Sequence, residues 1–372
     1  YYASRGLGDV YKRQAIGCEW FYQGIEDFKY VAIRGIVVKT VSVLLLFLLV
    51  KSKEDILWYG AYTVFGVLGG NIFNFIRLRK YLHREMIDVH TLHPLRHLRP
   101  ALHVFVLNVV ISIYLQLNNV LLGFMKDAEA VGYFTAATKI MVITMSISSS
   151  LGTVIMPRSS NLIAEGKVDE FRILIQKSYD FVLALAMPLT VGLIFISPSV
   201  ILLLSGEGFA PAVLTSQIVA SNILMVGLSG VMGAQVLYPL GKINIVVSCT
   251  FIGAIINVLL NVLLIPNYGH NGTAVAYMLA EMAVTISMFL IGNKYIPIQF
   301  FKKQHLHYVG GSIVMGGFLY LVLLLELGNT NTLIIMMCIG IMVYIVVLLW
   351  LKDPIGMMVS SIVWTKIKCK SW

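Results

Sequence analysis

Four charged side chains interrupt long apolar runs and are the residues best placed to do chemistry: Arg34, Lys39, Lys139 and Glu281. At about 1.5 Å per helical residue, Lys39, Lys139 and Glu281 each lie about 12 Å from one end of their apolar run, and Arg34 lies about 4.5 Å from an end. Cations held away from water bind phosphate oxygens strongly, and a lysine also pairs with a carboxylate. The sequence therefore predicts a cationic phosphate site using Arg34, Lys39 and Lys139. The structural alternative is a buried ion pair between Lys139 and Glu281.

The composition places these runs in a membrane. Hydrophobic residues make up 58% of the 372 residues and charged residues 12%, with a mean hydropathy of +0.84. Water-soluble and disordered chains are far more polar, so both classes are excluded. A bilayer core of about 30 Å needs roughly 20 apolar helical residues. The sequence predicts an all-α polytopic membrane protein with about ten spans, at 31–50, 56–76, 104–124, 131–155, 179–204, 211–237, 243–265, 272–292, 308–326 and 332–351.

Basic residues mark one side of the membrane. The loops on that side hold 18 Lys and Arg, whereas the alternate loops hold only Lys51, Lys53 and Lys126. Basic loops stay in the cytoplasm, which predicts a cytoplasmic C-terminus. In this orientation Arg34 and Lys39 enter from the cytoplasmic side, so their alternative role is to reach toward the lipid headgroups.

The longest basic loop, 77–103, is predicted to separate two helix bundles. Residues 1–14 follow no helical or strand period and are expected to be a non-native leader. The predicted organisation is a leader at 1–14, a two-span remnant of a first lobe at 15–76, a cytoplasmic inter-lobe linker at 77–103, a six-span lobe at 104–292, two additional spans at 293–351 and a basic cytoplasmic tail at 352–372.

Neutral polar side chains also occur within the spans, notably Gln116, Asn118 and Asn222. They indicate a polar interior, although hydrogen bonding between helices is the ordinary alternative. Motifs of hydrolases and metal enzymes do not occur, and the four cysteines have no metal-ligand spacing. We expect no catalytic residue, no metal, no cofactor and no nucleic-acid partner.

Three stretches resemble the polysaccharide-export flippases (Wzx-type) of the multidrug/oligosaccharidyl-lipid/polysaccharide superfamily. They are WFYQGIEDFKYVAIRGIVVK at 20–39, IYLQLNNVLLGFMKDAEAVGYFTAATKI at 113–140 and PNYGHNGTAVAYMLAE at 266–281. The resemblance implies a MATE-like fold of two lobes, with the first four helices missing from this chain. One departure is Asn118, where the family often has an acid, so ion coupling through that position is in doubt.

The resemblance further implies a flippase, not an enzyme, for a polyprenyl-pyrophosphate-linked oligosaccharide of the bacterial inner membrane. Arg34, Lys39 and Lys139 would then hold phosphate, while Gln116, Asn118 and Asn222 would contact sugar. Glu281 would serve in an ion pair or in coupling. The implied partners are lipid-linked oligosaccharide, membrane lipid, and the polysaccharide polymerase and chain-length machinery. The alternatives are a cation-coupled multidrug exporter of the same superfamily and a fragment without function of its own.

Overall fold

The computed structural model describes residues 18–51, 55–81, 98–325 and 328–357, and all regular structure in these ranges is helical. In chain order the helices are α1 Glu19–Gly24, α2 Phe28–Leu49, α3 Ile56–Leu78, α4 Leu98–Met125, α5 Ala128–Ala164, α6 Val168–Ser205, α7 Ala212–Val219, α8 Ser221–Gly230, α9 Ile243–Gly292, α10 Lys303–Leu323 and α11 Asn329–Trp350. A π-helical segment, Val231–Leu237, continues α8. The all-α prediction is confirmed.

Each predicted span coincides with a helix or with part of one. Seven helical segments of the described residues are long and apolar enough to cross a membrane. The span predicted at 211–237 consists of α7, α8 and the π-helical segment, which together form one such helix. The spans predicted at 243–265 and 272–292 both lie within α9, which consists of two helical halves that meet at a kink.

A sharp reversal at Gly269 separates the two halves of α9. Its dihedral angles, φ 53° and ψ −132°, are open to glycine and strained for other residues. Just beyond it, a Cβ added to Gly272 would lie 2.6 Å from the Leu264 carbonyl oxygen. The two halves therefore pack backbone to backbone, and Gly272 leaves the space that this requires.

Most of the stretch between the spans predicted at 131–155 and 179–204 is helical. Helix α5 continues to Ala164 and α6 begins at Val168. The turn is made by Gly166 at φ +73°, and the Lys167 amide donates to the Leu162 carbonyl. Hydropathy marks only the part of a helix inside the bilayer, whereas backbone hydrogen bonding continues into water. In this turn, a hydrogen bond and the charge of Lys167 hold the pKa of Glu165 below its ordinary value.

The chain divides into two compact units, Tyr1–Arg96 and His97–Trp372. The division falls within the stretch predicted as a linker, 77–103, although α4 already begins at Leu98. In the second unit the apolar core forms two clusters. One contains Phe171, Met232 and Tyr308, and the other contains Phe134, Met141 and Ile223.

In the first unit, α1 and the residues after it contact the α2–α3 hairpin through a buried tyrosine and an ion pair. Tyr22 is fully buried and its hydroxyl donates to the Asn74 carbonyl over 2.9 Å. Arg77 pairs with Asp27 at 2.8 Å and lies 3.8 Å from the centre of the Tyr30 ring. The first of the three family-like stretches, at 20–39, thus includes the side chains that anchor α1.

Candidate functional site

Lys139 lies on an exposed polar face of α5. Thr135 comes one turn before it, and the hydroxyl residues Ser146, Ser150 and Thr153 follow on later turns. At 3.6 residues per turn, the five side chains fall within about 60° of arc on one side of the helix. Thr135 is half-buried and the other four are exposed. We call these five residues the α5 polar face.

The position of Lys139 along the helix makes this face unsuited to lipid. Lys139 follows Ala128, where α5 begins, by eleven residues, or about 16 Å of helix, close to the middle of a bilayer core. An ammonium group exposed to hydrocarbon at that depth costs about 3 kcal/mol or more. Among the described residues Lys139 forms no ion pair. The α5 polar face therefore suits contact with water or with an anion.

Two amides of α4 adjoin this face. The Thr135 hydroxyl donates to Asn119 Oδ1 over 3.5 Å, and Asn119 Nδ2 donates to Gln116 Oε1 over 3.5 Å. Gln116 is exposed. Hydrogen bonds of this length are weak, so the amides are free to exchange partners. Asn119 and Thr135 were absent from the predicted binding residues, although the 3.6-residue period places Thr135 beside Lys139.

Asn118 lies in the helix interface, away from the polar face. It is 2% exposed, and its Oδ1 accepts a hydrogen bond of 2.9 Å from Asn261 Nδ2 on α9. The same amide group lies 3.1 Å from Asn257 Oδ1. Asn118 was predicted to contact substrate, but in this conformation its amide joins α4 to α9. This is the interhelical alternative that the sequence left open.

Asn222 and Glu281 are also buried, with exposures of 0% and 7%. Both amide atoms of Asn222 lack a hydrogen-bond partner among the described residues. The Thr285 hydroxyl, one turn after Glu281, donates to the Met225 carbonyl of α8 over 3.0 Å. The ion pairs of the described residues include none between Lys139 and Glu281, since Lys139 is exposed and Glu281 is buried. The predicted site residues of the second unit thus fall into an exposed group and a buried group.

Arg34 and Lys39 lie in the first unit and differ from each other. The Arg34 side chain is 10% exposed, pairs with Glu19 at 2.7 Å and donates to the Gly70 carbonyl. Arg34 therefore links α1 to α2 and α3, and its charge is already neutralised. Lys39 is exposed. The predicted grouping of these two residues with Lys139 stays a prediction, because Lys139 belongs to the other unit.

A second polar group, centred on Asp180 of α6, was missed by the sequence analysis. Its carboxylate accepts hydrogen bonds from Gln176, Lys302, Gln304 and His305, with distances of 2.8–2.9 Å. We call these five residues the Asp180 hub. The hub joins α6 to the first turn of α10 and to the segment before it. The sequence signal was the polar run KKQHLH at 302–307, but its partner lies more than 120 residues earlier.

The profile of a family described as polysaccharide biosynthesis protein matches residues 15–163. A protein of Shigella dysenteriae named as an O-antigen transporter is 24% identical over 277 residues, 74% of this chain and 68% of the relative. A protein of the same name from Escherichia coli K12 is 26% identical over 280 residues, 74% of this chain and 66% of the relative.

A solved structure titled lipid II flippase MurJ, inward closed conformation, has a TM-score of 0.61 and 17% identity. The similarity covers 86% of this chain and 66% of that chain. The chain thus spans about two thirds of the length of these relatives. The family profile and these relatives agree with the resemblance of the three sequence stretches to the Wzx-type polysaccharide flippases, and the solved structure shares the fold of the chain.

Proposed function

We propose that the chain carries a polyprenyl-pyrophosphate-linked oligosaccharide, the repeat unit of an O-antigen, capsule or exopolysaccharide, across the bacterial inner membrane by alternating access. No covalent chemistry takes place. The observation that carries the proposal is the exposed, unpaired Lys139 on the α5 polar face. A pyrophosphate supplies the negative charge that can pair with such an ammonium, and it is the part of this substrate with the highest free-energy cost of crossing hydrocarbon.

The neighbours of Lys139 suit the rest of the substrate. Thr135 lies one turn before Lys139, and its hydroxyl is hydrogen-bonded to Asn119, which is hydrogen-bonded to Gln116. Such hydroxyl and amide groups exchange hydrogen bonds readily with sugar hydroxyls. Lys39 is the candidate for a second phosphate contact because it is exposed. Arg34 has a positioning role, because Glu19 occupies its guanidinium group.

The organisation of the chain follows the same proposal. Helices α2 and α3 belong to a first lobe, residues 104–292 to a second lobe, and α10 and α11 are the two additional spans. The excess of basic residues in alternate loops supports a cytoplasmic C-terminus. The polymerase and chain-length machinery would meet the product on the opposite side of the membrane.

The test uses proteoliposomes that contain the full chain and a fluorescent prenyl-pyrophosphate-linked oligosaccharide. Flipping is followed as loss of protection of the sugar from an impermeant lectin. Charge-assisted hydrogen bonds are worth about 1.5–3 kcal/mol, so Lys139→Ala should lower the initial rate about tenfold or more. Lys139→Arg should retain most of the rate. Lys126→Ala is the matched control, since Lys126 is exposed at the end of α4, outside the predicted span.

If Lys139→Ala flips the substrate at the wild-type rate, with a normal yield of folded protein, the proposed role of Lys139 is contradicted. Absence of flipping by the wild-type chain would contradict the proposed function of the chain itself. Transport of an organic cation in place of the glycolipid would favour the multidrug exporter, against which the positive charge of Lys139 argues.

A further inference from the structure

The ring of His305 has two neighbours that require opposite protonation states. Nδ1 lies 2.9 Å from the Phe300 carbonyl oxygen and 3.2 Å from the Lys302 amide nitrogen. A carbonyl accepts a hydrogen bond only from a protonated Nδ1, whereas an amide donates only to an unprotonated one. The other ring nitrogen, Nε2, lies 2.9 Å from Asp180 Oδ1 and donates to it in both states.

Both neighbours of Nδ1 belong to residues 293–302, which connect α9 to α10 and which we call the strap. The strap is fixed at its middle by two hydrogen bonds. The Ile298 amide donates to Asn293 Oδ1 over 2.7 Å, and the Gln299 amide donates to Gln176 Oε1 over 2.9 Å. The Ile298 side chain is 5% exposed. Gln176 also belongs to the Asp180 hub, so the hub and the strap are mechanically joined.

We propose that protonation of His305 moves its Nδ1 from the Lys302 amide to the Phe300 carbonyl and thereby tightens the strap, so that docking of α10 on α6 responds to pH. The charged ring makes a charge-assisted bond to Asp180 and a second bond to Phe300, so it clamps strap and α6 together. The neutral ring releases the Phe300 carbonyl and keeps only neutral bonds.

The titratable groups that face the His305 ring come from α6, the strap and α10. Asp180 and the Tyr179 ring face it from α6, Lys302 from the strap, and Tyr308 from α10. Lys177 and Lys303 nearby are exposed to solvent. Also on α10, His307 lies 3.2 Å from Asp353, whereas the ion pair of His305 is with Asp180. Imidazole changes charge between about pH 5 and 8, a range in which Asp, Lys and Tyr ordinarily keep theirs.

The sign of the effect follows from these contacts. The strap is held more tightly when His305 carries its proton, so the added stability is present at low pH and is lost as pH rises. In the proposed orientation this end of α10 lies on the cytoplasmic side. The inference is independent of the transported substrate and holds whether or not the proposed function is correct.

The experiment uses the full chain in nanodiscs and two single substitutions in the strap. Ile298→Cys is buried in the clamped strap, whereas Gln299→Cys is exposed in both states and reports the pH dependence of the reagent. The unsubstituted chain gives the background from its four native cysteines. The measured quantity is the ratio of maleimide labelling rates, Ile298→Cys over Gln299→Cys, between pH 6 and 8.5.

We expect the ratio to rise about fivefold with pH, the difference between a charge-assisted and a neutral hydrogen bond. Adding His305→Gln should make the ratio constant, and adding His307→Gln should leave the rise unchanged. A ratio that is constant in the parent chain, or a rise that survives His305→Gln, would overturn the proposal. If His305→Gln does not fold, ¹⁵N-histidine NMR of the parent decides. The His305 signal is the one that Asp180→Asn shifts, since Nε2 of His305 lies 2.9 Å from Asp180 Oδ1. Its Nδ1 must gain a proton over the pH range in which the ratio changes, and its absence overturns the proposal equally.

Discussion

Replacing Asp180 by alanine leaves four hydrogen-bond donors of the Asp180 hub without their acceptor. The Asp180 side chain is 11% exposed and that of His305 is 7% exposed, so water cannot replace the carboxylate at the His305 ring. Breaking a buried ion pair from one side typically costs about 3–5 kcal/mol. The Lys302 side chain is 24% exposed and keeps partial access to water, which places the expected cost at the lower end, about 3 kcal/mol. Asp180→Asn keeps one acceptor oxygen and should cost about half as much.

The assay is the free energy of unfolding in mixed micelles, measured by titration with a denaturing detergent. Asp169→Ala is the matched control, because it removes a carboxylate from the same helix. The Asp169 side chain is 94% exposed and its pair with Arg172 is 3.6 Å long, so the expected change is below about 0.5 kcal/mol. A loss for Asp180→Ala no greater than that of Asp169→Ala would refute the reasoning, since the hub would then hold nothing together.

Two further predictions concern packing in the second unit. Asn261→Ala should lower the free energy of unfolding by about 1–2 kcal/mol, because it leaves Asn118 Oδ1 buried without a donor. A double-mutant cycle with Asn118→Ala should give a coupling energy of about 0.6–1.7 kcal/mol. Additive effects of the two substitutions would contradict the interhelical hydrogen bond. Gly272→Ala should cost about 1–3 kcal/mol in the same assay, since its Cβ would lie 2.6 Å from the Leu264 carbonyl oxygen, whereas Gly310→Ala meets open space and should change little.

The spans could be predicted from the sequence because hydropathy measures the same property that holds a helix in a bilayer. The extension of α5 to Ala164 could not, since helical hydrogen bonding outside the bilayer leaves no hydropathy signal. The two halves of α9 meet at the non-helical backbone of Gly269, which hydropathy does not mark. Hydropathy thus locates crossings, and local backbone geometry sets the helix ends.

The candidate site shows a different limit. Gln116 and Asn118 are two residues apart, which on a helix turns their side chains about 200° from each other. The sequence therefore indicates that the two have opposite surroundings, but it cannot say which one faces the helix interface. The structure turns Asn118 toward Asn261 and leaves Gln116 exposed beside the α5 polar face. The Asp180 hub could not be predicted from the sequence, because its two members on α6 meet the other three members only through the packing of α6 against α10 and the segment before it.

The central claim is that the α5 polar face lines a water-filled path for an anionic lipid. The most direct test compares Ser146→Cys on that face with Ile252→Cys on α9, an exposed apolar position equally far from the predicted cytoplasmic end of its span. We predict that a hydrophilic maleimide labels Ser146→Cys and not Ile252→Cys. A short-chain polyprenyl pyrophosphate should slow the labelling of Ser146→Cys, but it should not slow the labelling of the double variant Ser146→Cys with Lys139→Ala. Equal labelling of the two positions, or protection that does not depend on Lys139, would contradict the account.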